Sequence, residues 1–116
     1  MPKVLVPLSG TYVAPRFDQA TEVWIGHVSS RAPAHGKTFV LTQPSAEELS
    51  QLIITEHVQT LICGAIENEI YEYLIWKKIK VIDYIIGPYE RALEKLGKDN
   101  LHSGDILFTK EERSLD

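Results

Sequence analysis

The single thiol, the guanidinium of Arg16 and a few glycines at the ends of short apolar runs are the residues of this chain that first suggest chemistry. Cys63 closes the run T-L-I-C, Thr60 to Cys63, and Gly64 follows it. As a thiolate it is a soft metal donor, and a thiol beside a helix N-terminus has a lowered pKa. Arg16 is the one fixed positive charge in the segment S-G-T-Y-V-A-P-R-F-D, Ser9 to Asp18. A guanidinium there can hold an anion through a planar fork of N–H donors. Gly10, Gly64 and Gly87 sit in connections, where a missing Cβ lets backbone come close to a ligand.

Each residue also has a plainer reading. A cysteine that ends an apolar strand is often a small buried hydrophobe. Arg16 can pair with Asp18 or Glu22. Phe17 and Val13 suit the core, and Tyr71, Tyr73, Trp76 and Tyr84 suit packing. His27 reads as an exposed or satisfied strand histidine, and Glu47-Glu48 as a solvated helix start.

Composition limits the chemistry. Of 116 residues, 44% are hydrophobic and 24% charged, an ordinary globular mixture for one domain. Lys plus Arg number 12 against 16 Asp plus Glu, a net charge of −4, which opposes nonspecific nucleic-acid binding. The single cysteine excludes a disulfide framework and a self-contained four-thiolate zinc or iron–sulfur site. No apolar run approaches the ~18 residues of a membrane helix. Met1-Pro2-Lys3 leads straight into a strand-like run with no signal peptide, so a cytoplasmic protein is expected.

The elements that must position these residues follow from periodicity. Lys3–Leu8, Glu22–Val28 and Lys37–Thr42 are β-branched apolar runs and read as an antiparallel meander. The pattern then turns helical. Ser45 with Glu48 makes a capping box, and Leu49, Leu52 and Ile53 continue to about His57. Thr60–Cys63 is a fourth strand, Glu67–Lys78 a second helix, Lys80–Ile82 a fifth strand, and Tyr89–Leu96 a third helix stopped by Gly97.

The order β-β-β-α-β-α-β-α predicts an α/β fold with right-handed crossovers. The expected sheet is mixed and five-stranded, in order 3-2-1-4-5, with strand 2 antiparallel. Residues 1–102 form the domain and 103–116 a partly disordered C-terminal tail. In the less regular stretch Lys98–Asp116, Leu101, Ile106, Leu107 and Phe108 are candidates to dock, whereas K-E-E-R-S-L-D looks frayed.

In this topology the connections after strands 1, 3, 4 and 5 meet at one rim, at the switch point where open α/β sheets bind ligands. That rim gathers Ser9, Gly10, Arg16, Asp18, Cys63, Gly64 and Gly87. Three helix N-termini would point their free N–H groups at it, an anion-binding arrangement. His35 and His57 fall at the opposite end, with His27 near them and His102 in the tail.

The segment V-P-L-S-G-T-Y-V-A-P-R-F-D-Q-A, Val6 to Ala20, resembles the dinitrogenase iron–molybdenum cofactor biosynthesis family. This family comprises NifX-like and NafY-like proteins and the C-terminal domain of NifB. Leu61–Ile66, L-I-C-G-A-I, resembles its second motif, with Ala65 where Gly is common. I-K-V-I, followed by Gly87 and a helix, resembles its third. The resemblance covers about Met1 to His102. It implies a ribonuclease H-like three-layer fold without catalysis. It also implies binding or carriage of the iron–molybdenum cofactor, its precursor or a related molybdenum- or iron–sulfur cluster, as in nitrogen fixation.

Carried over position by position, the resemblance implies cofactor binding by Ser9, Gly10, Arg16, Phe17, Cys63, Gly64, Ala65 and Gly87, with Cys63 the one metal ligand and no intrinsic cofactor. Val13, Asp18 and Ile66 also match. Some relatives carry a Gly- and His-rich loop where this chain has T-Q-P-S-A-E, and some carry Cys or His in a tail that here has only His102.

Three functions follow for testing. The first is a noncatalytic carrier of a preassembled metal–sulfur cluster, with cofactor-biosynthesis or acceptor proteins as partners. The second is a metal-free module for a small anion or a protein. The third is a nuclease, which needs several converging carboxylates. The first strand has none, and only Asp18 and Asp83 lie beside strands. No nucleic acid or membrane is expected as partner. The free edge of the third strand allows a monomer or a weak homodimer.

Overall fold

A computed structural model describes residues 2–108. Six strands and three helices follow in the order β1 (Lys3–Ser9), β2 (Tyr12–Val13), β3 (Glu22–His27), β4 (His35–Val40), α1 (Ala46–Thr55), β5 (Thr60–Ile62), α2 (Asn68–Trp76), β6 (Lys80–Ile82) and α3 (Tyr89–Gly97). A single 3-10 turn, Phe17–Gln19, lies between β2 and β3.

The sheet is mixed. Its path runs β4-β3-β1-β5-β6, and β2 pairs with β1 off that path. β1 is antiparallel to β3 and parallel to β5, so the direction of the topology changes at β1. The expected sheet had five strands; the sixth is β2, a two-residue strand too short to show any periodicity. The strand expected at Lys37–Thr42 instead spans His35–Val40, since its register places His35 opposite His27 and Val40 opposite Glu22.

Alternation along the strands divides the core into two layers. Val4, Val6 and Leu8 of β1, Trp24 of β3, Ile62 of β5 and Ile82 of β6 pack on one face against Ala92 and Leu93 of α3. Leu5, Val23, Ile25, Leu61 and Val81 pack on the other against Leu49 and Ile53 of α1 and Leu74 of α2. This is the period of two at work: adjacent residues point to opposite faces.

All three helices stop in the same way. His57, Lys78 and Asp99 each take a positive φ just past the last turn. In each case two backbone bonds close the end: Val58 N–H to Ile53 O with His57 N–H to Ile54 O, and the equivalent pairs at Ile79 and Asn100. These are Schellman caps, in which the left-handed residue is usually glycine. Gly97 lies at the end of the helix as expected, but it does not take the left-handed conformation of the cap. It ends the third helix proper, and Asp99 makes the turn.

The expected division at residue 102 also changes. Leu101 and Leu107 are buried in the α3 layer. Residues 105–107 add a short parallel bridge, Ile86 to Ile106, with Ile86 N–H donating to Asp105 O and Leu107 N–H to Ile86 O. The packed body thus continues to at least Leu107. Residues 109–116 of the expected partly disordered tail lie outside the described residues. No helix among the described residues is long and apolar enough to cross a membrane.

Candidate functional site

The site is built around the β1–β2 hairpin and the strap that follows it. Leu8 faces Val13 and Ser9 faces Tyr12, so Gly10-Thr11 is a two-residue hairpin loop. Gly10 has φ +63°, while Thr11 stays out of the left-handed region. That is the demand of a type II′ turn, with glycine first. A Cβ on Gly10 would meet nothing within 4 Å, so this tip is open.

The strap from Tyr12 to Phe17 is sewn down by backbone. Val13 N–H donates to Gly87 O, Ala14 N–H to Pro7 O, and Phe17 N–H to Ala65 O, while Ala65 N–H donates back to Pro15 O. Pro15 cannot donate and lies exposed, so its missing N–H costs nothing here. Phe17 then drops into the core beneath the strap, 1% exposed, in the layer that holds α1.

The glycines expected to admit a ligand are occupied by the chain itself. A Cβ at Gly64 would lie 2.4 Å from both Ala14 O and Pro15 O, so this glycine exists for the strap. At Gly87, where φ is +136°, a Cβ would lie 2.9 Å from both Cβ and O of Leu107, so this one admits the 105–107 segment. Close approach was the correct physics for both, and the approaching group is protein backbone.

Cys63 likewise turns away from the rim. It is fully buried, among Leu5, Phe17, Leu61 and Leu74 on the α1–α2 face. Burial pushes its thiol pKa up, and the negative charge of Asp83 adds to the rise. This direction is opposite to the lowered pKa expected beside a helix N-terminus, and its larger cause is desolvation of the buried thiol. As the chain stands, the thiol has no face open to solvent. Among the described residues no group of three His, Cys, Asp or Glu side chains could hold a metal ion.

Nor do the three helix N-termini all remain free. Ser45 Oγ accepts from Glu48 N–H at 3.1 Å, so the cap expected at α1 is formed. Tyr89 N–H, first in α3, donates to Thr11 O of the hairpin loop. α2, with Glu67 at its N-cap, and α3 both lack a side-chain cap, and among the described residues α2 alone of the three helices has neither a cap nor a bond of this kind to the hairpin.

Ser9, Gly10 and Arg16 do come together. They line an open groove of about 320 Å³ with Leu8, Ala14, Gln19 and Glu22. The Arg16 side chain is 58% exposed. Its Nε and Nη2 donate to the two carboxylate oxygens of Asp18 at 3.1 and 2.8 Å. Partial burial raises the Asp18 pKa, but the hydrogen bonds from Arg16, its own backbone and Gln19, with the Arg16 charge, outweigh it and hold the carboxyl below its ordinary value. The ion pair and the groove coexist: the fork spends one edge on Asp18 and leaves its other N–H donors to solvent.

Gln19 was not singled out from the sequence, though it belongs to the same motif segment and adds an amide to the groove. Glu22 also lines the groove and adds an acidic residue to it. Ala65, half-buried, bridges to Arg16 through backbone and supports the strap rather than the groove. A second cavity, of about 430 Å³, lies between the β3–β4 connection and α3, lined by Trp24, Ser29, Pro33, Tyr89 and Glu94. It contains none of the expected site residues.

No family model matches the chain, and no curated protein sequence matches it significantly. Solved structures do. A protein of Methanocaldococcus jannaschii described provisionally as a dinitrogenase superposes with a TM-score of 0.66 at 20% identity, over 86% of this chain and 91% of that one. A Thermotoga protein assigned provisionally as NifB gives 0.68 at 19% identity, over 96% and 99%. The apo form of the orange protein of Desulfovibrio gigas gives 0.68 at 17% identity, over 89% and 92%. At these identities the likeness is one of fold, and the chain has a distant fold relationship to proteins assigned to dinitrogenase and NifB.

Proposed function

We propose that this chain is a noncatalytic carrier of a preassembled, anionic metal–sulfur cluster, on a ribonuclease H-like variant of the α/β fold. The cargo class would be the iron–molybdenum cofactor, its precursor, or a related molybdenum- or iron–sulfur species. The observation that carries this reading is the groove in which Ser9, Gly10 and Arg16 of the V-P-L-S-G-T-Y-V-A-P-R-F-D segment meet. The names of two neighbours, dinitrogenase and NifB, support the cargo class.

The residues fit an anion better than a thiolate-ligated metal. The outer N–H donors of Arg16, the Ser9 hydroxyl and the Gln19 amide can donate to sulfide or oxide at the cluster surface, and bonds to an ionised partner are the stronger kind. Glu22 sets the limit on how much negative charge the groove tolerates. Hydrogen bonding without a fixed metal–ligand bond gives fast release, which a carrier delivering to a cofactor-biosynthesis or acceptor protein requires. Cys63 would join only if the strap over Phe17 lifted, so its ligand role is the subordinate part of the proposal.

Anaerobic gel filtration of the apo protein with isolated iron–molybdenum cofactor and with tetrathiomolybdate tests this. Co-elution of about one equivalent, lost in Arg16→Gln, is the expected result. No retention of either would overturn the carrier reading.

A second reading is a metal-free module that binds a small anion or a protein. The burial of Cys63 favours it. It predicts retention of simple oxyanions at the same groove and no preference for the sulfur-containing cargo.

A further inference from the structure

We propose that His27 and His35 form a two-imidazole site for a divalent late transition-metal ion, Cu²⁺, Ni²⁺ or Zn²⁺, at the end of the sheet remote from the hairpin. The two residues are register partners across the β3–β4 ladder, so their side chains rise from the same face. Their ring centroids lie 5.9 Å apart with the planes at 72°. Two imidazoles on one ion, each with a metal–nitrogen bond of about 2.0–2.1 Å, hold their centroids roughly 4.5–6.5 Å apart, depending on the angle at the metal. The observed separation falls inside that span.

The rings are available. His35 is exposed and His27 half-buried, and among the described residues neither ring is hydrogen-bonded or ion-paired to the protein. The charges around them are Lys3, the register partner of His27 on β1, and Lys37, two residues along β4. The Lys3 ammonium is drawn to Glu56, with Nζ 3.2 Å from Oε1, which offsets it. The ladder fixes both Cα positions before the ion arrives, so little ordering is left to oppose binding. Imidazole nitrogen selects copper, nickel and zinc over magnesium and calcium. With two protein ligands the remaining positions go to water, leaving an open, exchangeable site. It is independent of the groove at the other end and of any cluster.

Copper and zinc titrations of the full chain test the proposal. One Cu²⁺ should bind with an electron paramagnetic resonance signal showing two nitrogen ligands, and saturating Zn²⁺ should raise the thermal midpoint by about 2–4 °C. His27→Gln and His35→Gln should each weaken binding at least tenfold, while His57→Gln and His102→Gln should not. Mg²⁺ should do nothing. Midpoints without metal show that each variant folds. Undiminished binding in either His27→Gln or His35→Gln, or no binding by the parent protein, would overturn the site.

Discussion

The hairpin end of the sheet has two halves of opposite character. In one half, Phe17, Cys63, Gly64 and Gly87 are closed in by the strap and by the segment 105–107. In the other, Ser9, Gly10 and Arg16 face an open groove. The halves meet in sequence at Arg16 and Phe17, and both draw on the motifs that suggested a ligand. The difference teaches that a motif can carry two jobs: one half of this one builds the floor, and only the other half is free to hold anything. Glycine marks both halves, but for different reasons: Gly64 makes room for backbone, whereas Gly10 supplies a turn.

The largest expected effect breaks the sealed half. Gly64→Ala drives a Cβ against two carbonyl oxygens of the strap, neither of which is the end of a flexible side chain. Its cost should be on the order of 3 kcal/mol or more. Gly10→Ala meets open space and only the strain of its φ, about 1 kcal/mol. Urea denaturation of both variants compares the halves directly. Equal losses would remove the distinction.

Cys63 comes next. In the native protein its alkylation should be at least about a hundredfold slower than in the unfolded chain, because the thiol must be exposed first. Cys63→Ser should destabilise by about 1–3 kcal/mol, the cost of burying a hydroxyl without a partner. Because the folded pKa is raised, the thiol's contribution to stability is complete below the unfolded value of about 8.5 and is lost as pH rises above it. Denaturation midpoints at neutral and alkaline pH should therefore fall more steeply for the parent protein than for Cys63→Ala.

The open half should barely register in stability. Arg16→Gln should change it by less than about 1 kcal/mol, the usual worth of an exposed ion pair, while weakening retention of an anionic cargo about tenfold. Asp18 has a depressed folded pKa, so its small contribution is present above about pH 4 and fades as pH falls through the folded value. Asp18→Asn should match the parent protein in acid and fall slightly below it at neutral pH, by a few tenths of a kcal/mol.

Much of this frame was legible in the residues. β-Branched runs marked the strands, Ser45 with Glu48 marked the start of α1, and Leu101 and Leu107 were marked as able to dock. β2 was not legible, because two residues carry no period and its pairing depends on a glycine turn. The orientation of Cys63 was legible in principle. In the run Leu61-Ile62-Cys63 alternation puts Cys63 on the face of Leu61, inside the α1–α2 layer, and the attraction of a rim thiol obscured that. The occupants of Gly64 and Gly87 were not legible at all. Sequence announces that something comes close to a glycine, but only the fold shows what.

The central claim is that the open half, and not the thiol half, holds the cargo. Anaerobic titration of the ¹⁵N-labelled protein with tetrathiomolybdate, followed by amide chemical shifts, tests it most directly. The account predicts saturable shifts at Ser9, Gly10, Arg16 and Gln19, with Cys63 and Gly64 unmoved and the same map in Cys63→Ala. Shifts centred on Cys63 and Gly64 that vanish in Cys63→Ala, or no shifts at the hairpin, would contradict it.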